Sequence, residues 1–309
     1  MNPTVSIIMP CLNGERHIQT AINSVQAQTF GDFELIVVDN GSTDRTPEIL
    51  RSVNDPRLKI LALSERGVSR ARNLGLREAR GAFIAFLDAD DEWAPDFIEK
   101  MIVRLENRPE YALAYCGWRN IGTSGIRGEP YIPPDYEGVD KLAALLVDCP
   151  WPIHAALTRR EVIQSVGGFN PRFAIGEDFL LWLEIATSHP IVRIPEVLAY
   201  YHHHGGQQVT KSKVQVALTT AEVQKHFLSS HPEIARTLGH KKTRRAIYGT
   251  LLDRGYAYYW RRDLVPARTI FRRVMKSGYG TLKDWLYMLP SLIPLILHRK
   301  LIQIFESRS

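Results

Sequence analysis

The chain has 309 residues, 45% of them hydrophobic and 23% charged, a balance that excludes an intrinsically disordered protein. Its three cysteines, Cys11, Cys116 and Cys149, are odd in number and far apart, which argues against a disulfide framework or a zinc site and indicates a reducing compartment. The net charge of +6 divides unevenly along the chain. Residues 1–210 carry 20 Lys+Arg and 27 Asp+Glu (−7), whereas residues 211–309 carry 19 Lys+Arg and 6 Asp+Glu (+13). This division predicts an acidic part that holds a cation and a basic part that meets an anionic surface.

The first third of the chain alternates strand-like and helix-like segments. The run Glu34–Asp39 is apolar on both faces, which is typical of a strand covered on both sides in a parallel sheet. Alternation with helices predicts βαβ crossovers and therefore a doubly wound α/β sheet. In chain order the pattern predicts strands at Val5–Met9, Glu34–Asp39, Leu58–Leu63, Ala82–Leu87 and Ala112–Cys116, and helices at Glu15–Gln26, Thr46–Val53, Ser69–Ala79 and Pro95–Asn107.

The pattern loosens over residues 117–152, where Gly and Pro are frequent. Helices are predicted again at Arg160–Val166 and Glu177–Ser188, followed by short strands at Ile191–Ile194 and Ala199–His203. Beyond residue 210 the sequence is helical and basic. We therefore predict a first domain over residues 1–210 and a helical region over residues 211–309.

Two acidic clusters lie where predicted strands end. Asp39 closes the second strand, and Asp88–Asp91 closes the fourth. In open parallel sheets ligands bind outside the carboxyl ends of the strands, and residues two apart, such as Asp88 and Asp90, point the same way. Carboxylates in small number suit Mg²⁺ or Mn²⁺ shared with substrate phosphates. The alternative is a strand-end turn that also caps the following helix.

Several motifs in fixed order resemble the signature of family 2 glycosyltransferases. The likeness covers about residues 4–205, two thirds of the chain, and implies a GT-A fold, a Rossmann-like doubly wound mixed sheet, followed by a helical C-terminal extension. It rests on Val5–Pro10, Asn13, Glu15, Gln28-Thr29, Val37–Asp44, Ala71–Gly75, Phe86–Asp91, Gly167–Phe169 and Gly176–Asp178.

The resemblance assigns roles to residues that bind the donor, a nucleoside-diphosphate sugar. Asp39 is expected to accept a hydrogen bond from the base, Asp88 to contact the nucleoside and Asp90 to bind the metal. Two positions depart from the family, since Leu12 replaces a stacking aromatic residue and Asn40 replaces the usual second Asp. The other expected donor-binding residues are Pro10, Asn13, Glu15 and Arg72.

The same resemblance implies inversion at the anomeric carbon, with Asp178 as the catalytic base. A helix N-terminus favours the carboxylate form, which is expected to keep Asp178 ionised; the alternative is that Glu177 and Asp178 only complement the helix dipole. His204, in a His-x-x-Gln placement with Gln207, is the expected second metal ligand, and His202 is the alternative.

The acceptor is expected to bind in the part of the first domain from residue 117 to 210. Trp151, His154 and Glu177 are its predicted contacts, and the alternative for Trp151 is packing within a loop. The predicted acceptor is a glycan or lipid-linked hydroxyl in the synthesis of cell-surface polysaccharide.

The basic C-terminal region is predicted to contain a helical hairpin between Arg244 and Gly278. The apolar segment Trp285–Leu297 precedes His298-Arg299-Lys300, which predicts either contact of residues 285–309 with a membrane surface or a buried docking helix or oligomer contact. Lys and Arg are scattered among apolar neighbours, which argues against nucleic-acid binding.

No secretion signal and no run of about 18–20 apolar residues occurs, so a cytoplasmic location is expected, with peripheral attachment to the inner face of the membrane as an extension. Two other functions stay open. One is a nucleotidyltransferase, although Pro10–Gly14 lacks a basic Gly-rich phosphate loop, and the other is a non-catalytic sugar-nucleotide-binding or scaffold protein, which has no need of Asp178.

Overall fold

A computed structural model of the chain describes residues 2–122, 127–138, 140–204 and 212–306. The chain forms two compact units, one comprising Met1–Leu145 with Cys149–Gln208 and the other Leu146–Asp148 with Val209–Ser309. The predicted boundary at residue 210 lies outside the described residues and stays a prediction.

The first unit is built on one mixed β-sheet. Its strands, within the described ranges, are β1 (Val5–Cys11), β2 (Phe33–Asp39), β3 (Leu58–Ala62), β4 (Phe83–Phe86), β5 (Glu92–Trp93), β6 (Leu113–Ile121), β7 (Arg127–Tyr131), β8 (Ala156–Arg159) and β9 (Ile191–His202). Their order in the sheet is β3-β2-β1-β4-β8-β6-β9-β5, with β7 paired to β6 beside this path.

The parallel half of the sheet has the predicted doubly wound topology. β3, β2, β1 and β4 are parallel neighbours, so the chain leaves β1 in one direction toward β2 and later returns to the other side of β1 as β4. All residues of β1 and all but Asp39 of β2 are buried, which confirms that both faces are covered. The helices of this unit are α1 (Ile18–Gln26), α2 (Thr46–Ser52), α3 (Val68–Glu78), α4 (Phe97–Glu106), α5 (Lys141–Leu145), α6 (Arg160–Ser165) and α7 (Glu177–Ser188).

A glycine allows α3 to approach the sheet closely. α3 packs on β1 and β2, and a Cβ added to Gly75 would lie 2.5 Å from Cγ2 of Ile8. This close packing fixes the helix that carries Arg72 against the central strand.

The second half of the sheet confirms the predicted mixed sheet but differs from the predicted strands in detail. β8 is antiparallel to both of its neighbours, β4 and β6. The two predicted short strands at Ile191–Ile194 and Ala199–His203 form one strand, β9. Its ladder with β6 shifts register at Pro195 and Glu196, which have no partner in β6, and the strand continues beyond them. The region predicted to be loose, residues 117–152, includes the end of β6 and also β7 and α5.

The second unit is helical in its described residues. α10 and α11 pack against each other as the predicted hairpin, and a Cβ on Gly255 would lie 2.8 Å from the ring of Phe271. Among the residues described, no helix is long and apolar enough to cross a membrane. The helices of this unit are α8 (Lys213–Ser230), α9 (Pro232–Arg244), α10 (Thr250–Trp260), α11 (Leu264–Met275), α12 (Leu282–Met288) and α13 (Leu295–Glu306).

Candidate active site

The carboxyl ends of three neighbouring strands meet at one edge of the sheet. Cys11, the last residue of β1, is in register with Asp39, the last residue of β2, and Ile8 of β1 is in register with Phe86, the last residue of β4. Burial, together with the nearby carboxylates of Asp39, Asp44 and Asp90, raises the pKa of Cys11 to about 12. Carboxylates from separate parts of the chain therefore surround the end of β1, where the strand order reverses.

The loops after β1 and β2 are joined by hydrogen bonds. The Asn13 side chain accepts from the Thr43 N–H at 2.8 Å, and a Glu15 carboxylate oxygen accepts from the Arg45 N–H at 3.2 Å. Asp39 accepts from the Ser42 N–H at 2.9 Å. The predicted donor residues Asn13, Glu15 and Asp39 thus lie together, and each also fixes the shape of these two loops.

Two predicted donor contacts are buried instead. Pro10 lies within β1 in a fully buried run, so its ring offers little surface to a nucleotide. Arg72 is only 2% exposed, and its guanidinium donates to Asp88 at 2.7 Å and to Glu177 at 2.6 Å. Packing has therefore turned both side chains inward, away from solvent.

Arg72 instead joins the two acidic segments of the site. Burial alone would lower its pKa, but the carboxylates of Asp88, Glu177 and Asp178 outweigh this effect and raise it. One guanidinium therefore holds the carboxylate after β4 and the pair that opens α7 within the same charged cluster. Asp88 and Glu177 are 89 residues apart in the chain, and this link brings the donor segment and the base segment together.

Glu177 and Asp178 occupy the first turn of α7. The residue before them, Gly176, has a φ of 77°, a left-handed conformation that favours glycine. Burial raises the pKa of Glu177 to about 7 and also raises the pKa of Asp178, while Arg72 opposes both shifts. Burial therefore opposes the expected stabilisation of the Asp178 carboxylate, whereas Arg72 and the backbone N–H groups of the first turn of α7 support it. A raised pKa makes the ionised carboxylate a stronger base.

Asp90 and His204, the predicted metal ligands, lie side by side. The Asp90 carboxylate is 2.8 Å from His204 Nε2, and the His17 ring stacks on His204 with centroids 4.5 Å apart. The alternative ligand, His202, pairs with Glu92 at 2.8 Å. Gln207, the partner in the predicted His-x-x-Gln placement, lies outside the described residues.

The donor set around Asp90 suits a small divalent cation. No group of three or more His, Cys, Asp or Glu side chains gathers as a metal cage within the described ranges. One carboxylate and one imidazole, both partly exposed, nevertheless match the few protein ligands that Mg²⁺ or Mn²⁺ takes when phosphate oxygens complete its shell.

Two predicted acceptor contacts lie in the core. Trp151 is 1% exposed and stacks on Tyr115 with ring centroids 4.2 Å apart, so packing prevails over sugar contact. His154 is fully buried, and its Nδ1 lies 2.9 Å from the carboxylate of Asp91. The expectation that these side chains face the acceptor is therefore corrected, and Glu177, at 8% exposure, is bound to Arg72.

Sequence reasoning missed three residues of this region. His17, Asp91 and Glu92 contact His204, His154 and His202 respectively. Asp91 ends the recognised acidic run but was given no role of its own, and Glu92 directly follows that run. An open cavity elsewhere in the first unit, near the start of β6, is lined by none of the predicted site residues.

Comparisons with known proteins relate this chain to one enzyme family. The sequence model of glycosyl transferase family 2 matches residues 6–167. The chain is 34% identical over 192 residues to the Escherichia coli UDP-Glc:alpha-D-GlcNAc-diphosphoundecaprenol beta-1,3-glucosyltransferase WfgD, an alignment that covers 62% of this chain and 72% of WfgD. It is 30% identical over 236 residues to the O-antigen biosynthesis protein RfbC of Myxococcus xanthus, covering 74% of this chain but spanning only 18% of that protein.

A solved structure shares the fold. The mannosyltransferase PcManGT from Pyrobaculum calidifontis, determined in complex with GDP-Man and Mn²⁺, aligns over 94% of this chain and 79% of its own, with a TM-score of 0.58 and 19% sequence identity.

Proposed function

The chain belongs to glycosyl transferase family 2, and we propose that it transfers a sugar from a nucleoside diphosphate to an acceptor hydroxyl with inversion at the anomeric carbon. The observation that carries this proposal is the Arg72 link, which joins Asp88 of the donor segment to Glu177 beside the candidate base Asp178. A non-catalytic nucleotide-binding protein has no use for a base held at the donor site.

The donor is a nucleoside-diphosphate sugar in this proposal. Asp39 accepts a hydrogen bond from the base, Asp88 contacts the nucleoside, and Asn13 and Glu15 shape the loops beside it. Leu12 is 43% exposed, which supports an apolar contact where an aromatic residue would stack. The names of WfgD and PcManGT, which specify UDP-Glc and GDP-Man, support this class of donor.

Asp90 and His204 hold Mg²⁺ or Mn²⁺ in this proposal. A bound cation neutralises the charge of the departing diphosphate and serves as a Lewis acid. The separation of 2.8 Å between the two side chains supports their acting on one ion, and Mn²⁺ is present in the PcManGT complex.

Asp178 removes the proton from the acceptor hydroxyl. A carboxylate in hydrogen-bond reach of that hydroxyl contributes about 10²–10⁴-fold to the rate. The partial exposure of Asp178 and the direction of its pKa shift support this role. Glu177 keeps Arg72 in place and borders the acceptor.

The acceptor is a glycan or a lipid-linked saccharide of a cell-surface polysaccharide, and the chain works at the cytoplasmic face of a membrane. The name of WfgD, which specifies a diphosphoundecaprenol-linked acceptor, supports this class. The chain's own support is a set of exposed apolar side chains between residues 282 and 301 of the second unit, here called the leucine ridge. Its members, all at least 37% exposed, are Leu282, Leu286, Leu289, Leu292, Ile296, Leu297 and Leu301.

The leucine ridge fits an anionic lipid surface. Lys283, Arg299 and Lys300 lie exposed in the same segment and supply positive charge. Arg268, which is 9% exposed, donates to the carbonyl of Ile293 at 2.6 Å, and this bond satisfies a polar group of the turn between α12 and α13. Apolar side chains beside basic ones are the pattern of an interfacial segment.

Lipid binding is measured by sedimentation with phosphatidylglycerol-containing vesicles and with neutral phosphatidylcholine vesicles. The double variant Leu286→Glu/Ile296→Glu is expected to lose at least tenfold in affinity for the anionic vesicles. The control is Val103→Glu, because Val103 is 52% exposed on α4 of the first unit and is expected to change nothing. Equal binding by the double variant and the unaltered chain contradicts the membrane proposal.

The transfer itself is tested with a panel of UDP-, GDP- and dTDP-sugars and Mn²⁺, by measuring release of nucleoside diphosphate. Release with at least one donor, lost on chelation of the metal, supports the proposal. Release of pyrophosphate from nucleoside triphosphates identifies a nucleotidyltransferase, and donor binding without any release identifies a non-catalytic protein.

A further inference from the structure

Asp91 lies buried directly behind the exposed part of the acidic run. It is 1% exposed, and its two carboxylate oxygens reach different parts of the chain. One oxygen accepts the backbone N–H of His202 at 2.8 Å, and the other lies 2.9 Å from Nδ1 of His154. This single side chain therefore connects the loop after β4, the end of β9 and the turn that precedes β8.

His154 is held on several sides. Its ring is fully buried and stacks against Tyr201 with centroids 5.8 Å apart. Its backbone carbonyl accepts the Nε1–H of Trp93 at 2.6 Å, and Trp93 itself stacks on Phe97. Asp91 is thus paired with a side chain that has little freedom to move.

The segments that Asp91 joins are those that carry the candidate metal ligands. Asp90 directly precedes Asp91, and His204 follows His202 by two residues. We propose that Asp91 and His154 are positioning residues, which hold the Asp90 carboxylate and the His204 imidazole at the spacing that one divalent cation requires. This inference rests on the metal-dependent transfer proposed above.

Stability alone does not account for such a pair. Replacing a buried ion pair by apolar side chains of similar volume is often neutral or stabilising. A buried Asp–His pair therefore contributes little more to the free energy of unfolding than leucine and phenylalanine would contribute in its place. Groups behind metal ligands, by contrast, orient those ligands, and their loss typically weakens metal affinity by about 10–100-fold.

The test measures binding of Mn²⁺ without any sugar transfer. Manganese is titrated by calorimetry or by electron paramagnetic resonance into the full chain in the presence of saturating UDP and, in parallel series, of GDP and dTDP. Asp91→Asn and His154→Asn are each expected to weaken Mn²⁺ binding by about 10-fold or more. In turnover assays the Mn²⁺ concentration for half-maximal rate is expected to rise, and the rate at saturating Mn²⁺ is expected to recover most of its value.

The control is Glu34→Gln. Glu34 is also a buried carboxylate, at 4% exposure, and it accepts from the Ser6 hydroxyl at 2.6 Å, but it lies near the opposite end of β2 from Asp39. Its substitution is expected to lower the unfolding temperature without changing Mn²⁺ affinity.

Unchanged Mn²⁺ affinity in folded Asp91→Asn and His154→Asn overturns the inference, and so does an equal loss in Glu34→Gln. If neither variant folds, the test is hydrogen exchange of the His202 backbone amide in the unaltered chain. Binding of Mn²⁺ with nucleotide is expected to slow this exchange. An unchanged exchange rate contradicts the proposed coupling between Asp91 and the metal ligands. Failure of the proposed function is distinguishable, because it appears as absent transfer by the unaltered chain whatever its Mn²⁺ affinity.

Discussion

Arg72 provides a quantitative test of how the site is held together. The substitution Arg72→Met keeps the length of the side chain but removes the guanidinium that binds Glu177 and Asp88. The Arg72 and Glu177 side chains are 3% and 10% exposed, so removing one partner leaves a buried carboxylate without a counter-charge. Such a change destabilises proteins by about 3–5 kcal/mol. The Asp88 side chain is 30% exposed and regains water, so its share is small.

The assay is urea unfolding followed by the fluorescence of buried Trp151 and Trp182, which both belong to the first unit. Arg72→Met is expected to lower the free energy of unfolding of this unit by about 3 kcal/mol or more, a large part of the 5–15 kcal/mol typical of a domain. Arg72→Lys is expected to lose less, because it keeps the charge but cannot span both carboxylates in the same way.

Arg80→Met is the matched control. Arg80 also pairs with a buried carboxylate, Glu34, but its own side chain is 62% exposed, and Glu34 retains bonds from the Ser6 hydroxyl and the backbone N–H of residue 80. We expect a loss of about 1 kcal/mol or less. Equal losses in Arg72→Met and Arg80→Met, or a loss under about 1 kcal/mol in Arg72→Met, would refute the reasoning.

Three further predictions concern the same unit. Burial raises the pKa of Glu177 from 4.5 to about 7. The stability that Glu177 contributes is therefore fully present below about pH 4.5 and is lost as the pH rises to 7. The difference in unfolding free energy between the unaltered chain and Glu177→Gln is expected to fall from pH 5 to pH 8, and a constant difference contradicts this. Gly75→Ala places a Cβ 2.5 Å from Ile8 and is expected to lower stability by about 1–3 kcal/mol in urea unfolding, whereas Gly31→Ala, with open space around it, changes little. Asp39→Asn is expected to weaken nucleotide affinity by about tenfold in calorimetry. The control Asp32→Asn, which changes the residue directly before β2, is expected to leave the affinity unchanged. Equal affinities of the two variants contradict the proposed role of Asp39.

The parallel half of the fold and the acidic edge were predictable because their signals are local. An apolar run such as Glu34–Asp39 identifies a strand covered on both faces, and carboxylates at strand ends identify the ligand edge. The topology confirms the strand and places Asp39 at the same edge of the sheet as the end of β1, since Cys11 and Asp39 end their strands in register. The pairing of Asp90 with His204 followed from the resemblance and not from spacing, because 114 residues separate them.

The incorrect assignments concern side chains whose surroundings depend on distant residues. Arg72, His154 and Trp151 each carry a group suited to ligand binding, but each is turned inward to partners that local sequence does not reveal. The direction of the Asp178 pKa shift follows from the desolvation of its partly exposed carboxylate, which arises only when the chain is packed. Likewise, β9 continues past Pro195 because a register shift in its ladder with β6 absorbs that residue.

The most direct test of the central claim separates binding from chemistry in the two acidic segments that Arg72 joins. Donor affinity is measured by calorimetry with Mn²⁺, and turnover is measured on the same samples, for Asp178→Asn and Asp90→Asn. We expect Asp178→Asn to keep donor affinity but lose about 10²–10⁴-fold in turnover, and Asp90→Asn to lose the Mn²⁺-dependent part of donor affinity. Turnover that survives in Asp178→Asn, or donor affinity in Asp90→Asn that still depends on Mn²⁺ as before, contradicts the claim that these carboxylates form one active site.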